Sequence, residues 1–149
     1  MRFAISGQFS QSPDAVFAQL SNFEEVPSWQ DETLELHRDV SHQNLRLHSM
    51  RASPFGKVQV SSEIVEFDAE RRMYSERLLN TVMVGSTFQW SVAPTATGSV
   101  VTVDIDLILE EHFSAIPEEV SQMVGGRISE ALGQLKSRLD SEQPGARSP

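Results

Sequence analysis

Apolar and polar residues alternate along most of this chain, which is the period of β-strands that bury one face. Residues 2–10 follow this pattern, and the most regular run is 101–109, where Val, Ile and Leu alternate with Thr and Asp. Six strands joined by short turns are predicted between residues 33 and 110, including a strand over 82–92 and a hairpin loop at 94–98. With the first strand the count is seven, and the short connections between the other six predict antiparallel pairing.

Two short helices are predicted directly after the first strand. Ser12 is a suitable N-cap residue and Pro13 suits the first helical position. A second helical fragment carries Phe23 and Val26, and Pro27 is predicted to end it.

A long helix is predicted near the C-terminus, from about Pro117 to Leu139. Its apolar stripe recurs every three or four residues and consists of Val120, Val124, Ile128, Leu132, Leu135 and Leu139, extended by Met123 and Ala131. Gly125 and Gly126 interrupt the pattern, and each glycine costs about 1 kcal/mol relative to Ala in a helix. They serve either close packing on the sheet or a benign kink, or they leave room for a ligand.

The order of these elements carries a family resemblance. The matching stretches are FSQSPDAVFAQLSNFEEVPSW, EIVEFDAERRMY, FQWSVAPTATGSVVTV and ALGQLKSRLD, which together extend over nearly the whole chain. In this order they resemble the START-like (SRPBCC) superfamily, and within it the polyketide cyclase/dehydrase-like proteins. The resemblance implies an α+β helix-grip fold, in which a curved, antiparallel, seven-stranded sheet wraps around the long C-terminal helix. It also implies a cavity between the sheet and that helix.

Composition narrows the choice of partners. The 149 residues are enough for one domain, predicted at 1–140, and the Pro, Gly and Ser of residues 141–149 predict a flexible tail. A net charge of -9 argues against nucleic acid as a partner. Without a targeting segment or an apolar run long enough to span a membrane, a soluble cytoplasmic protein is predicted. The sequence leaves the oligomeric state open.

Motifs that would indicate a cofactor or a metal are missing from the sequence. It contains no GxGxxG, P-loop or GxSxG pattern, and no cysteine. Its four histidines show no metal-ligand spacing; they are His37, His42, His48 and His112. We therefore expect neither a cofactor nor a metal ion.

Three functions are compatible with these observations. The first is binding of a hydrophobic or aromatic small molecule, lipid-like or polyketide-like, in the cavity, with the expected ligand-binding residues Trp29, Tyr74, Phe88, Trp90, Met123 and Val124. The second is a cyclase, aromatase or dehydratase that uses an acid or base in the cavity, the candidates being Glu63, Tyr74 and His112. The third is a protein-interaction module with a filled core and no ligand.

The role of Glu63 depends on which face of its strand is buried. It shares one face with Val65 and Phe67, while Val58 and Ile64 mark the other. If the first face lines the cavity, Glu63 is a partly buried carboxylate suited to proton transfer. If the second face does, Glu63 lies on the surface. Arg77 could pair with Glu63 or with a ligand carboxylate, and we expect the ion pair with Glu63.

Overall fold

A seven-stranded antiparallel sheet forms most of the molecule in the computed structural model, which describes residues 1–53, 56–111 and 117–142. Its strands are β1 (Arg2–Phe9), β2 (Thr33–Asp39), β3 (Arg46–Ser53), β4 (Gly56–Asp68), β5 (Met73–Leu78), β6 (Thr87–Thr95) and β7 (Gly98–Asp106). The strand order is β1-β7-β6-β5-β4-β3-β2, so strands β2 to β7 form a meander and β1 pairs with β7. The predicted antiparallel sheet is confirmed.

Short helices follow β1, as predicted. Helix α1 spans Pro13–Leu20, and the Ser12 hydroxyl caps it by accepting a hydrogen bond of 3.2 Å from the Ala15 amide. The second fragment divides into a 3₁₀ turn, Phe23–Glu25, and helix α2, Val26–Trp29. Pro27 therefore lies in the first turn of α2 rather than ending a helix, because a residue there needs no intrahelical N–H donor.

Helix α3 spans Pro117–Glu142 and packs across β1. A Cβ atom at Gly125 would lie 3.2 Å from Ile5 Cδ1, so the glycine allows the helix to approach the sheet closely. A Cβ at Gly126 would meet nothing within 4 Å. Close packing thus accounts for Gly125. The helix also includes two residues of the predicted tail, and residues 143–149 lie outside the described residues.

The faces of β7 follow the sequence pattern. Val101, Val103 and Ile105 are at most 2% exposed, whereas Asp104 is exposed. Apolar side chains of β7 therefore form the centre of the core. This side of the sheet is also the side that α1 and α3 cover.

The connection before β6 differs from the prediction, because β6 begins at Thr87 rather than near residue 82. Thr81 and Gly85 have positive φ angles of 74° and 89°, which extended strands do not adopt. At its other end β6 continues through Pro94, which pairs with Ser99 beyond the last residue paired with β5. Proline is tolerated there because its missing N–H has no ladder partner to lose.

Candidate functional site

A cavity of about 260 Å³ lies between the inner face of the sheet, the short helices and α3. The short helices and the turn between them contribute apolar side chains to one end, namely Leu20, Phe23, Val26 and Trp29. Strands β3 to β6 contribute the floor, which includes Leu47, Val58, Val60, Leu78 and Phe88. Helix α3 covers it with Val124, Arg127 and Ile128. The core is therefore incompletely filled between the sheet, the short helices and α3.

Aromatic rings dominate the inner wall of the cavity. Tyr74 and Trp90 are directly paired across β5 and β6, and their rings are nearly parallel, with centroids 6.1 Å apart. Phe23 packs against Tyr74 in a T-shaped arrangement with a centroid distance of 5.1 Å. All three residues are at least nine-tenths buried, so their packing fixes the shape of this wall.

One carboxylate, that of Glu76, lies in this aromatic wall. Its Oε1 accepts a hydrogen bond of 3.2 Å from Trp90 Nε1, and its Oε2 accepts one of 3.2 Å from the Ser62 hydroxyl. Among the described residues, neither Arg, Lys nor His forms an ion pair with Glu76. Neutral donors thus hold the carboxylate in place without compensating its charge.

The phenol of Tyr74 shares this environment. Burial raises the pKa of its hydroxyl well above the ordinary value of 10.0, and the negative charge of Glu76 raises it further. Tyr74 is therefore a neutral phenol at physiological pH.

A polar rim, which we define as Glu32, Arg51 and Arg127, lies at the end of the cavity near the β3–β4 hairpin. Arg127 Nη1 is 3.8 Å from Glu32 Oε2, which links α3 to the segment before β2. Arg51 Nε donates a hydrogen bond of 3.3 Å to the Ser49 hydroxyl. Arg51 pairs with Val58 of β4 and Glu76 with Ile64, so about six residues, roughly 20 Å of extended strand, separate the two positions.

A second hollow of about 460 Å³ lies beside the 3₁₀ turn, and Phe23 contributes to its wall as well. It is larger by volume, but polar and charged side chains supply much of its wall, including Glu24, Arg38, Gln43 and Asn44. The first cavity has the continuous apolar wall that binding of a hydrophobic molecule requires, and we take it as the candidate site.

A model of one protein family matches residues 2–140, nearly the whole chain; its description is "Polyketide cyclase / dehydrase and lipid transport". The chain belongs to this family. The family resemblance expected from the order of elements is thereby confirmed. No curated protein sequence matches the chain significantly.

Solved structures support the fold of this polyketide cyclase/dehydrase and lipid transport family member. The protein TTHA0849 from Thermus thermophilus is 16% identical, with a TM-score of 0.81 and coverage of 96% of this chain and all of that one. A START superfamily protein from Mycobacterium smegmatis is 11% identical, with a TM-score of 0.78 and coverage of 95% and 99%. The di-domain ARO/CYC BexL from the BE-7585A biosynthetic pathway is 14% identical, with a TM-score of 0.81. The match covers 96% of this chain and 48% of BexL.

The structure brings most of the predicted ligand-binding residues together. Five of them line the cavity: Trp29, Tyr74, Phe88, Trp90 and Val124. Their participation in binding stays a prediction. Met123 was placed wrongly, since it is 49% exposed and absent from the cavity wall. Successive helical residues point about 100° apart, so Val124 faces inward while Met123 lies at the edge of the apolar stripe.

Glu63, a candidate acid or base, lies on the outer side of the sheet, because Val58, Val60 and Ser62 face the cavity. Its carboxylate contacts the Arg77 guanidinium directly, and its Oε2 is 3.9 Å from Arg46 Nε. Glu63 is therefore a structural ion-pair residue, and its proposed role in the cavity is wrong. The third candidate, His112, lies outside the described residues.

The outer side also carries a small polar cluster at the end of β2. Asp39 Oδ2 lies 3.4 Å from His42 Nε2 and 3.5 Å from His48 Nε2. His48 Nδ1 is hydrogen-bonded to the Ser61 hydroxyl at 2.8 Å. Hydrogen bonds from the Ser41 hydroxyl and backbone amide lower the pKa of Asp39 to about 2. These contacts fasten β2 to β3 and β4.

Sequence reasoning missed Glu76 and Ser62 as site residues. Glu76 alternates with Tyr74 and Leu78 along β5, so its face contains one charged residue between two apolar ones. That pattern alone does not distinguish a cavity wall from an edge strand. The hydrogen bond from Trp90 depends on strand pairing that only the folded sheet reveals.

Membrane-spanning helices and metal-binding clusters are both absent from the part of the chain that the structure describes. None of the described helices is long and apolar enough to cross a membrane. Within the same part of the chain, no group of three or more His, Asp or Glu residues is arranged to hold a metal ion.

Proposed function

We propose that the protein binds a hydrophobic, ring-containing small molecule in the cavity between the sheet and α3. The observation that carries this proposal is the wall itself, where Phe23, Tyr74 and Trp90 form a continuous aromatic surface beside unfilled space of about 260 Å³. Burial of apolar surface would supply the binding free energy, at about 25 cal/mol for each Å² removed from water.

The family description and one structural neighbour support a ligand of this class. The family description names polyketide cyclases, dehydrases and lipid transport, and one structural neighbour is an ARO/CYC from a biosynthetic pathway. These activities belong to the relatives. They agree with a cavity whose wall is mainly apolar and whose few polar groups would orient a ligand.

Direct detection of a bound molecule is the first test. Native mass spectrometry of the freshly purified protein, followed by organic extraction, should reveal a hydrophobic adduct in a 1:1 ratio. The protein should also bind the neutral fluorescent probe N-phenyl-1-naphthylamine, with energy transfer from tryptophan because Trp29 and Trp90 both lie in the wall.

A matched pair of variants distinguishes the cavity from the rest of the surface. Val60 lines the cavity, whereas its neighbour Gln59 is exposed and lies outside the wall. Val60→Phe should fill part of the space and weaken probe binding by about tenfold or more. Gln59→Phe adds the same ring on the other face and should leave binding unchanged. Equal affinities for the two variants would show that the probe binds elsewhere.

A further inference from the structure

The position of Glu76 limits which hydrophobic molecules the cavity can accept, provided that the proposed binding function is correct. The carboxylate forms part of the cavity wall, and its two oxygens accept one hydrogen bond each, from Trp90 and Ser62. A carboxylate oxygen can accept more than one hydrogen bond, so each oxygen retains capacity toward the cavity.

A ligand that fills the cavity displaces solvent from this carboxylate. If the ligand is wholly apolar, a charged group loses hydration without a replacement, and such a loss strongly opposes binding. If the ligand carries an O–H or N–H group at that position, the lost hydration is replaced by a charge-assisted hydrogen bond. A ligand carboxylate there would be repelled.

Glu76 differs from the other carboxylates near the cavity because no cationic side chain among the described residues compensates its charge. Glu32 has Arg127 at 3.8 Å, and Glu63, outside the cavity, has Arg77 and Arg46. The hydrogen-bond donors to Glu76 in the described residues are a serine hydroxyl and an indole N–H, and the neutral Tyr74 lies on the same face of β5. The aromatic rings around it also suit a planar ligand, and would suit a cationic group near their faces.

We infer that Glu76 selects the ligand: the molecule bound here has a planar apolar body and a hydrogen-bond donor, hydroxyl or ammonium, directed at the Glu76 carboxylate. The inference deepens the proposed function by assigning the donor end of the ligand to the inner wall. The apolar body then extends toward Val58 and Val60, and the polar rim lies beyond it.

Four naphthalene probes of similar size test this selection. They are 2-naphthylmethanol and 2-naphthylmethylammonium, which donate hydrogen bonds, 2-ethylnaphthalene, which does not, and 2-naphthoate, which is an anion. Dissociation constants are measured for the native chain, for Glu76→Leu and for the nearly isosteric Glu76→Gln. Glu35→Gln is the matched control, because Glu35 is exposed on β2 and lies outside the cavity wall.

The decisive quantity is the preference for a donor probe over 2-ethylnaphthalene. Replacement of Glu76 by Leu should reduce this preference by about tenfold or more, the loss expected for a hydrogen bond to a charged group. Glu76→Gln should retain part of the preference for the alcohol and lose that for the ammonium, and Glu35→Gln should change neither. Tighter binding of the ammonium than of the alcohol by the native chain would favour a cationic ligand, and the reverse a hydroxylated one.

Two other outcomes would overturn the inference. If the native chain binds 2-ethylnaphthalene and the donor probes with a ratio that none of the Glu76 variants changes, Glu76 does not select the ligand, although the cavity still binds hydrophobic molecules. Tightest binding of 2-naphthoate by the native chain would also show that Glu76 does not select the ligand. If no probe binds the native chain, the proposed function fails together with the inference. Unfolding curves of both variants verify that each is folded.

Discussion

Two glutamates on adjacent strands, Glu63 of β4 and Glu76 of β5, lie on opposite sides of the same sheet. Glu63 is outside, 8% exposed, and is held between the guanidinium groups of Arg77 and Arg46. Glu76 is inside, in the cavity wall, and is held by the neutral donors of Trp90 and Ser62. The same residue type thus has its charge compensated on one face and uncompensated on the other.

This contrast separates a structural carboxylate from one that is available to a ligand. Two arginines of the same chain compensate the charge of Glu63. Its burial is therefore tolerated without a bound ligand. Hydrogen bonds from neutral groups orient Glu76 but leave its charge exposed to whatever occupies the cavity. Burial alone would have favoured Glu63 as the functional residue; the identity of the partners favours Glu76.

Tyr74 gives the largest expected effect on the inner side. Burial and Glu76 raise the pKa of its hydroxyl well above 10.0, so the folded chain keeps the phenol protonated at pH values where the unfolded chain ionises. The stabilisation is therefore complete below pH 10.0 and is lost as the pH rises above it, by about 1.4 kcal/mol for each pH unit.

The absorbance of tyrosinate measures this directly, because Tyr74 is the only tyrosine in the chain. Its ionisation should coincide with unfolding rather than precede it. Tyr74→Phe should have nearly the native stability at neutral pH and a smaller loss of stability in alkali. An ordinary titration of the native, still folded protein near pH 10.0 would show that the inner wall is wet.

The two glutamates themselves provide the next test. Glu63→Gln removes the charge that Arg46 and Arg77 share and should lower the free energy of unfolding by about 1–2 kcal/mol, a value reduced by the partial exposure of Arg77. Glu76→Gln keeps a hydrogen-bond acceptor for Trp90 and removes an uncompensated charge, so its effect should stay within about 0.5 kcal/mol. Urea denaturation near neutral pH measures both. Equal destabilisation by the two substitutions would remove the distinction between the faces.

The smallest effect is expected at Asp39, on the outer side. Hydrogen bonds from Ser41 lower the pKa of this carboxyl from 3.8 to about 2. Its contribution to stability is therefore present above pH 3.8 and disappears as the pH falls toward 2. Denaturation midpoints of the native chain and Asp39→Asn should differ slightly above that range and converge below it. A difference that persists unchanged at low pH would contradict the shift.

Regular alternation allowed much of the fold to be predicted. The buried face of β7 could be read from its sequence because Val101, Val103 and Ile105 alternate with polar residues. The start of β6 could not, because the apolar residues Val82 and Val84 continue the alternation into a turn where both are exposed. Positive φ angles at Thr81 and Gly85 prevent an extended strand over these residues. The alternation of apolar and polar residues does not encode these backbone angles.

Mainly the large aromatic residues of the cavity wall could be predicted from the sequence. Tyr74 and Trp90 could be proposed as wall residues because large aromatic side chains are usually buried. The inward position of Glu76 depends on its register with Phe88 and on the bulge between Ile64 and Glu66, which changes the alternation of β4. Both are properties of long-range strand pairing, so a local pattern in β5 carries no signal for them.

The two indole N–H resonances in an NMR spectrum of the protein test whether a donor-bearing hydrophobic molecule occupies the cavity beside Glu76. The chain has two tryptophans: Trp90 donates to Glu76, while the Trp29 indole nitrogen is buried without a partner among the described residues. Trp→Phe variants assign the two signals. Saturation with 2-naphthylmethanol should shift both resonances, with the Trp90 shift reduced in Glu76→Gln. If the probe saturates a site while both indole signals stay in place, the probe is bound outside this cavity, and Glu76 does not contact it.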